Sequence, residues 1–347
     1  MKKVFVGLSG GVDSSASAAL LKQQGYDVVG VYMKNWTKDL PGMPCPWKED
    51  FQDAKRVAVQ LKIPFEVYDF EQQYHDKVVQ YMLDGFKAGL TPNPDIMCNQ
   101  EIKFKLFLDT ALNNGADLIA TGHYADSRDG HLLMAKDTNK DQTYFLYRVS
   151  HPALQKTVFP LGSYKKSQVR QIAADIGLVT AQKKESMGIC FVGKVGIKDF
   201  LKQYVSLQPG AIIDGQGREV GQHEGALFYT IGQRHGLDVG GGLPYYVIGK
   251  DMDKNEVYVT TDLQDVRLWS DTINFTSEHW INGQPDDKQE LMVRTRHRAR
   301  LIPVKKLNKS SNHSWQVQLK EEVRALTAGQ SVVFYRGDEC LGGGIIT

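Results

Sequence analysis

The sequence predicts an α/β N-terminal domain with a doubly wound, mostly parallel sheet, followed by a small β-rich central domain and a C-terminal β-barrel. Strand and helix patterns alternate through residues 4–120, which is typical of a parallel sheet covered by helices. After residue 200 helical periodicity disappears, and turns rich in Gly separate short strands. From about residue 268 strands again alternate with turns, which favours a compact barrel. We therefore expect three domains, at residues 1–203, 204–266 and 267–347.

The individual elements follow from the spacing of apolar residues. Short apolar runs predict strands at Val4–Leu8, Val28–Met33, Phe65–Phe70, Asp117–Ala120 and Leu132–Ala135. Helical spacing predicts helices at Ala16–Lys22, Glu49–Leu61, Tyr74–Leu83, Ile102–Leu112 and Ser167–Ile176. Short strands of the central domain are predicted at Ala211–Ile213, Tyr245–Gly249 and Val257–Thr260.

Composition is that of a globular protein with a sizeable core. The 347 residues are 41% hydrophobic and 24% charged, and the formal net charge is +2. Because this charge is nearly balanced, nucleic-acid binding would need a local basic patch. The first strand follows Met1-Lys2-Lys3 directly, and no apolar stretch reaches the roughly 20 residues that span a bilayer. We expect a cytoplasmic monomer that does not bind membranes.

The first strand leads into a run of small residues, Gly7-Leu8-Ser9-Gly10-Gly11-Val12-Asp13-Ser14-Ser15, and then into a helix. Glycine permits a tight turn, and the N–H groups of a helix N-terminus attract phosphate. A Walker loop would need a lysine that this loop lacks. The loop instead resembles the PP-loop of ATP pyrophosphatases, and the Asp13 carboxylate is suited to contact magnesium. An ordinary capped strand-to-helix turn is the alternative.

Two further loops are expected near this one, because ligands of doubly wound sheets lie beyond the carboxyl ends of the strands. They are residues 34–48 and residues 121–124. Met33 ends the second strand, and Gly122 allows close approach of the backbone to a nucleotide. Met33 could equally be a core residue, and a histidine such as His123 is more often structural than catalytic.

Two of the four cysteines lie in surroundings that suit a reactive thiol. Cys98 follows a Pro-containing segment, in which we expect a turn, and lies just before a helix predicted to begin near Gln100 and to be capped by Asp95. A helix N-terminus lowers the pKa of a thiol. Cys190 lies in a segment with the character of an exposed loop, after two lysines. No Cys-x-x-Cys pair occurs, so no structural metal site is expected. A buried, inert thiol is the alternative for Cys98.

Basic residues alternate near the C-terminus, at Arg294, Arg296, Arg298 and Arg300. In a strand these four side chains would point to one side, where a phosphate backbone is their best match. A solvated surface strand is the alternative.

Lys140-Asp141-Gln142, ahead of an aromatic run, could simply be the capped start of a helix.

The whole set of motifs resembles the bacterial tRNA-specific 2-thiouridylase family. It comprises Gly7–Ser15, Thr91–Asn99, Thr121–Tyr124, Lys140–Gln142, Ser186–Phe191, Thr230–Arg234 and Cys340–Gly344, in the family order from end to end. One departure is His297, because the family often has tyrosine after the arginine at this place.

The resemblance implies ATP-dependent thiolation at C2 of the wobble uridine of tRNA, with magnesium, and a persulfide donor protein (a cysteine desulfurase or sulfur-relay protein) as partner. Cys190 would carry the persulfide and Cys98 would be the second thiol. Asp95 would transfer a proton, and Asn93, Pro94 and Asp95 would receive the flipped base. The residues implied to hold ATP are Gly7, Leu8, Ser9, Gly10, Gly11, Val12, Asp13, Ser14, Met33 and Gly122. Those implied to contact tRNA are Lys140, Asp141, Gln142, Arg296 and His297.

Three other functions compete with this hypothesis. A PP-loop ligase would need neither reactive cysteines nor the arginines. A non-catalytic RNA-binding protein would bind tRNA without releasing pyrophosphate. An iron–sulfur thiolase would need clustered cysteines.

Overall fold

The computed structural model describes residues 1–39, 45–184, 197–237, 239–240, 242–286, 290–311 and 314–347. The strands of the N-terminal part are β1 (Lys3–Gly7), β2 (Asp27–Lys34), β3 (Phe65–Asp69), β4 (Leu118–Ala120), β5 (Asp126–Arg128), β6 (His131–Leu133) and β7 (Thr157–Val158). Five of them form a parallel sheet in the order β3-β2-β1-β4-β7. The strand order reverses between β1 and β4, so the loops after these strands face one crevice. The predicted doubly wound sheet is confirmed.

Helices cover both faces of this sheet. They are α1 (Val12–Gln23), α2 (Trp47–Leu61), α3 (Glu71–Tyr74), α4 (Gln80–Lys87), α5 (Pro94–Met97), α6 (Phe107–Asn113), α7 (Thr143–Leu146), α8 (His151–Gln155), α9 (Lys166–Asp175) and α10 (Ile197–Leu201). Two π-helical segments, His75–Val79 and Cys98–Leu106, join α3 to α4 and α5 to α6. Successive residues of β1 point to opposite faces. Phe5 therefore packs with α3, α4 and α6, whereas Val4 and Val6 pack with α1, α2 and α9.

The two following domains are built from antiparallel pairs, with one parallel pairing in the central sheet. The central strands are β8 (Gly210–Ile213), β9 (Glu219–His223), β10 (Tyr246–Asp251) and β11 (Glu256–Thr260), in the order β10-β11-β8-β9. The C-terminal strands are β12 (Trp269–Trp280), β13 (Met292–Arg294), β14 (Ile302–Ser311), β15 (Ser314–Arg324), β16 (Ser331–Arg336) and β17 (Glu339–Ile346). They run in the order β12-β15-β14-β13-β16-β17, and pairing of β12 with β17 closes a six-stranded barrel. The predicted barrel is confirmed; the domain limits themselves remain predictions.

The first domain is joined to the barrel by a hairpin and a buried ion pair. The β5–β6 hairpin extends the barrel sheet, because β6 pairs with β17 through Leu132 and Cys340. Nearby, the Asp141 carboxylate accepts a hydrogen bond from the Arg294 guanidinium at 3.1 Å, and both side chains are buried. Segments distant in sequence are thereby fixed against each other.

The predicted stripe of four arginines on one strand face is wrong. Strand β13 ends at Arg294, and residues 295–300 are irregular. Arg298 has a positive φ of 62°, which lies outside the extended conformation of a regular strand. Arg294 points into the protein toward Asp141, while Arg300 pairs with Glu321 on the surface. The alternation in the sequence was therefore not strand alternation.

Within the described residues no helix is long and apolar enough to cross a membrane. The same residues contain no cluster of three or more His, Cys, Asp or Glu side chains that could hold a metal ion.

Replacing Arg294 with methionine should lower the free energy of unfolding by about 3–5 kcal/mol, because the Asp141 carboxylate would stay buried without its charged partner. Chemical denaturation measures this. The matched control is Arg300→Met, whose exposed ion pair with Glu321 should contribute less than about 1 kcal/mol. Equal losses in the two variants would contradict a special role of the buried pair.

Candidate nucleotide and nucleobase site

The loop between β1 and α1 is tightly constrained. Gly10 has a φ of +75°, and a Cβ there would lie 2.3 Å from the Asp50 carbonyl oxygen of α2. The Ser9 N–H donates to Ser14 Oγ at 3.1 Å, and Ser15 Oγ donates to the Gly11 carbonyl at 2.7 Å. These bonds fix a turn that leads directly into the N-terminus of α1, a geometry that suits an anion.

Asp13, in the first turn of α1, is held by Tyr124, from the loop expected near it, and by Lys166, which the sequence did not single out. Lys166 Nζ lies 2.7 Å from each carboxylate oxygen, and the Tyr124 hydroxyl donates to Oδ1 at 2.9 Å. Both partners are more than 100 positions away along the chain. The sequence indicated a lysine from elsewhere only indirectly, because the phosphate loop has no lysine of its own.

The residues implied to hold ATP are brought together as expected from the strand order. A Cβ on Gly122 would lie 2.7 Å from the backbone nitrogen of Ser14, so the loop after β4 packs directly on the phosphate loop. A Cβ on Gly7 would lie 2.8 Å from Met33 Cε, so the Met33 side chain covers the end of β1. This proximity is a finding; the contacts with ATP remain predictions.

The surroundings of His123 are those of a structural residue. It is buried, its Nδ1 lies 2.8 Å from Thr121 Oγ1, and its Nε2 lies 3.4 Å from Lys103 Nζ. Burial, assisted by the Lys103 charge, holds the pKa of the imidazole well below its usual value. The ring is therefore neutral at pH 7.

A second concavity lies where the three domains meet. It has a volume of about 260 Å³. The first domain contributes Thr91–Asp95 and Phe86, α10 contributes Ile197, Lys198 and Leu201, and the rest comes from Phe228, Thr230 and Gln330. The three residues implied to receive a base, Asn93, Pro94 and Asp95, all line it.

Thr91 is hydrogen-bonded to both of the other domains that line this pocket. Its N–H donates to the Ala328 carbonyl at 2.9 Å, and its carbonyl accepts from Gln330 Nε2 at 2.8 Å. Its hydroxyl lies 3.3 Å from that of Thr230. The barrel and the central domain therefore both hold the start of the segment that carries Asn93 and Asp95.

The local structure of residues 93–98 differs from the prediction. A helix begins at Pro94, since proline is well suited to a first helical turn, and its cap is Asn93 rather than Asp95. Asn93 Oδ1 accepts the N–H groups of Asp95 at 3.1 Å and Ile96 at 3.4 Å. Asp95 is left with its carboxyl at the pocket. Burial raises the pKa of that carboxyl, against the opposing charge of Lys103.

Cys98 is not in an exposed loop. It begins the π-helical segment after α5 and is 1% exposed, packed in the core between the sheet and the helices. It therefore does not lie at a helix N-terminus. Cys190 lies outside the described residues, so the predicted pairing of these two cysteines stays a prediction.

The Lys140-Asp141-Gln142 segment directly precedes helix α7 and connects the barrel to the phosphate loop. Asp141 is 1% exposed and bonds Thr143 Oγ1 as well as Arg294, so burial argues against the predicted direct contact of its carboxylate with tRNA. Gln142 Oε1 accepts the Tyr124 N–H at 2.9 Å, and the Gln142 N–H donates to the Tyr124 carbonyl at 2.8 Å. Tyr124 in turn holds Asp13.

Arg296 and His297 lie side by side at the seam between the barrel and its neighbours. Arg296 donates to the backbone of Ile231 in the central domain and of Ala325 in the barrel. The His297 ring packs on Phe145, with ring centroids 4.5 Å apart, and its Nδ1 is buried without a hydrogen-bond partner. Burial, with smaller effects of Arg298 and Arg294, lowers the pKa of this histidine to about 4.

Comparison with known proteins covers the whole chain. Family models described as "tRNA methyl transferase HUP domain", "tRNA methyl transferase PRC-barrel domain" and "Aminomethyltransferase beta-barrel domain" match residues 2–194, 198–261 and 270–346. A tRNA-specific 2-thiouridylase MnmA of Staphylococcus aureus is 48% identical over 99% of this chain and 95% of its own length. One of Bacillus licheniformis is 49% identical over 99% and 94%.

A solved 4-thiouridine synthetase–RNA complex with bound ATP superposes with a TM-score of 0.40 at 17% identity, over 59% of this chain and 50% of that one. This likeness is too distant to carry a functional argument.

The fold and the full-length matches define a three-domain enzyme of the tRNA-modifying class, with an α/β domain, a small central domain and a β-barrel. The chain belongs to the tRNA-specific 2-thiouridylase family, whose members are sulfurtransferases.

Replacing Gly10 with alanine should destabilise the phosphate loop by at least about 2 kcal/mol, because it combines a left-handed backbone with overlap on Asp50. The neighbouring Gly11→Ala is the control. Gly11 has a φ of −96° and its Cβ would meet Ser9 Oγ at 3.4 Å, an ordinary contact, so the loss should be about 1 kcal/mol at most. Thermal or chemical unfolding compares the two. A Gly10→Ala protein as stable as Gly11→Ala would show that the loop is not constrained as described.

Proposed function

We propose that this chain catalyses ATP-dependent 2-thiolation of the wobble uridine of tRNA. The observation that carries the proposal is the pocket at the three-domain junction, lined by Asn93, Pro94 and Asp95. Its volume of about 260 Å³ is of the same order as that of small-molecule sites. A flipped base could therefore lie there while the barrel and central domain contact the rest of the tRNA.

The chemistry explains why a phosphate loop and thiols are needed together. The C2 oxygen of uracil is a poor leaving group. When this oxygen attacks the α-phosphorus of ATP, pyrophosphate leaves with the bond's electron pair, and the oxygen becomes part of an AMP leaving group. The terminal sulfur of a Cys190 persulfide then attacks C2 and AMP departs. The Cys98 thiolate attacks the inner sulfur, which leaves the outer sulfur on C2 and forms a disulfide. An external thiol reduces that disulfide.

Asp95 suits the proton transfer assigned to it. Asp95 lines the pocket, and burial raises the pKa of its carboxyl. The positive charge of Lys103 opposes this shift. A carboxyl in this environment can accept a proton from the uracil ring as the C2 oxygen becomes nucleophilic.

The tRNA contacts proposed outside the pocket are Lys140, Gln142, Arg296 and His297. Arg296 and Lys140 supply positive charge for phosphates. His297 is uncharged at pH 7 because its pKa is about 4, so it can contact a base or ribose through stacking and hydrogen bonding rather than through charge. Asp141 contributes indirectly, by fixing Lys140 and Gln142 on either side of it.

ATP is proposed to bind the loop Gly7–Ser14 with Met33 and Gly122 beside it. In this structure both Asp13 oxygens are bonded to Lys166, and Oδ1 also accepts from Tyr124, so Asp13 would offer magnesium a hard oxygen ligand only once Lys166 turns toward the phosphates. We further propose a monomer in the cytoplasm that receives sulfur from a persulfide donor protein.

The test is one reaction with purified protein, unmodified tRNA, Mg-ATP and a persulfide or sulfide source, with the digested nucleosides read by mass spectrometry. We expect a 2-thiouridine that requires ATP. A methylated uridine formed from S-adenosylmethionine would support the activity named in the family-model description instead. Pyrophosphate release with a small molecule and without tRNA would support a ligase.

Cys98→Ser and Cys190→Ser should each abolish thiolation while tRNA affinity stays within about twofold, because each removes one sulfur-handling group and no charge. Cys45→Ser is the matched control; this half-buried thiol has no assigned role and should leave the rate unchanged. Full activity of either Cys98→Ser or Cys190→Ser contradicts the two-thiol scheme.

A further inference from the structure

The Lys166 ammonium lies beside the phosphate loop, where it bonds Asp13, a residue 153 positions away along the chain. It is the first residue of α9, and its backbone N–H donates to Asp137 at 2.8 Å. Helix α9 packs on α1 through Val169, which lies in one apolar cluster with Ala16 and Leu20. The Lys166 side chain is 12% exposed. Its ammonium is thus held at one place by the backbone, by helix packing and by its partners.

The partners of Lys166 explain how the ammonium is positioned. Both Asp13 oxygens lie 2.7 Å from Nζ, and the ammonium lies 5.7 Å from the centre of the Tyr124 ring. The Tyr124 hydroxyl also donates to Asp13 Oδ1. Asp13, Tyr124 and Lys166 therefore form a clamp at the first turn of α1.

The charges of Asp13 and Lys166 indicate that this clamp also affects phosphate binding. A carboxylate in the first turn of α1 lies where the helix N-terminus attracts an anion, and an unneutralised carboxylate there would repel phosphate. Lys166 cancels that repulsion. It also places an N–H donor beside the loop, where a Walker-type site would use a lysine of its own that this loop lacks.

We propose that Lys166 is the phosphate-binding cation of this site: its ammonium contacts the polyphosphate of ATP, and Asp13 and Tyr124 position it. The inference rests on the proposed function and adds a residue to it. When the C2 oxygen of uridine attacks the α-phosphorus, the electron pair of the broken bond leaves with pyrophosphate. The Lys166 ammonium stabilises that negative charge.

The experiment compares binding of ATP, pyrophosphate and adenosine to the full chain by isothermal titration calorimetry. Lys166→Met should weaken binding of ATP and of pyrophosphate about tenfold or more, because a charge-assisted hydrogen bond is lost. Adenosine affinity should not change. Lys166→Arg should retain most of the ATP affinity. Lys166→Gln, which keeps a donor toward Asp13 without the charge, should behave like Lys166→Met and is the second variant should Lys166→Met fail to fold.

The matched control is Lys165→Met, which removes an exposed lysine one position away and should leave all three affinities unchanged. Equal ATP affinity of the unsubstituted chain and Lys166→Met overturns the inference and leaves the proposed function standing. A proportional loss for ATP, pyrophosphate and adenosine also overturns it, because it indicates a purely structural role. If the unsubstituted chain binds neither ATP nor pyrophosphate, the proposed function fails as well.

Discussion

The buried ion pair between Asp141 and Arg294 is the constraint on which the relation of the domains depends. A buried ion pair is stable when its geometry is good and it makes further hydrogen bonds. The Asp141 carboxylate accepts from the Ala135 N–H, the Thr143 hydroxyl and the Arg294 guanidinium, although Arg294 Nε is buried without a hydrogen-bond partner. Because these hydrogen bonds form only in one arrangement, the Asp141 segment and strand β13 have little freedom to move relative to each other. Gln142 follows Asp141 directly and holds Tyr124, which bonds Asp13. A chain of hydrogen bonds and one ion pair therefore connects the barrel to the phosphate loop.

This connection gives the small pocket at the domain junction a rigid frame. Its first-domain wall is held by backbone bonds of Thr91 to the barrel, and the packing of Gly329 on Thr91 leaves no room for a Cβ, which would lie 2.7 Å from the Thr91 nitrogen. A pocket assembled from three domains cannot form in any one of them alone. Specificity for a large, shaped RNA follows naturally from such an arrangement, since a base and the surrounding backbone must be contacted at once.

The burial of Cys98 places a condition on the proposed chemistry. A thiol that is 1% exposed cannot attack the sulfur that it is proposed to resolve unless its surroundings move. Two features of the site are compatible with movement. Cys98 begins a π-helical segment, a local variant that is frequent at functional sites, and the neighbouring Asn99 has a buried Oδ1 without a hydrogen-bond partner. The Asn99 amide N–H group still bonds the Phe145 carbonyl. The segment therefore carries a local energetic cost that a bound substrate could relieve.

The parallel sheet, the barrel and the phosphate loop could be predicted from local patterns in the sequence: apolar periodicity, glycine at a tight turn, and short strands between turns. The sequence also has Asn93, Pro94 and Asp95 in one segment. Which atoms face each other, however, depends on how the elements pack. The cap at Asn93, the burial of Cys98 and the inward direction of Arg294 depend on packing that no local pattern encodes. Lys166 and Tyr124 reach Asp13 from more than 100 residues away, since helix α9 and the loop after β4 both pack against α1.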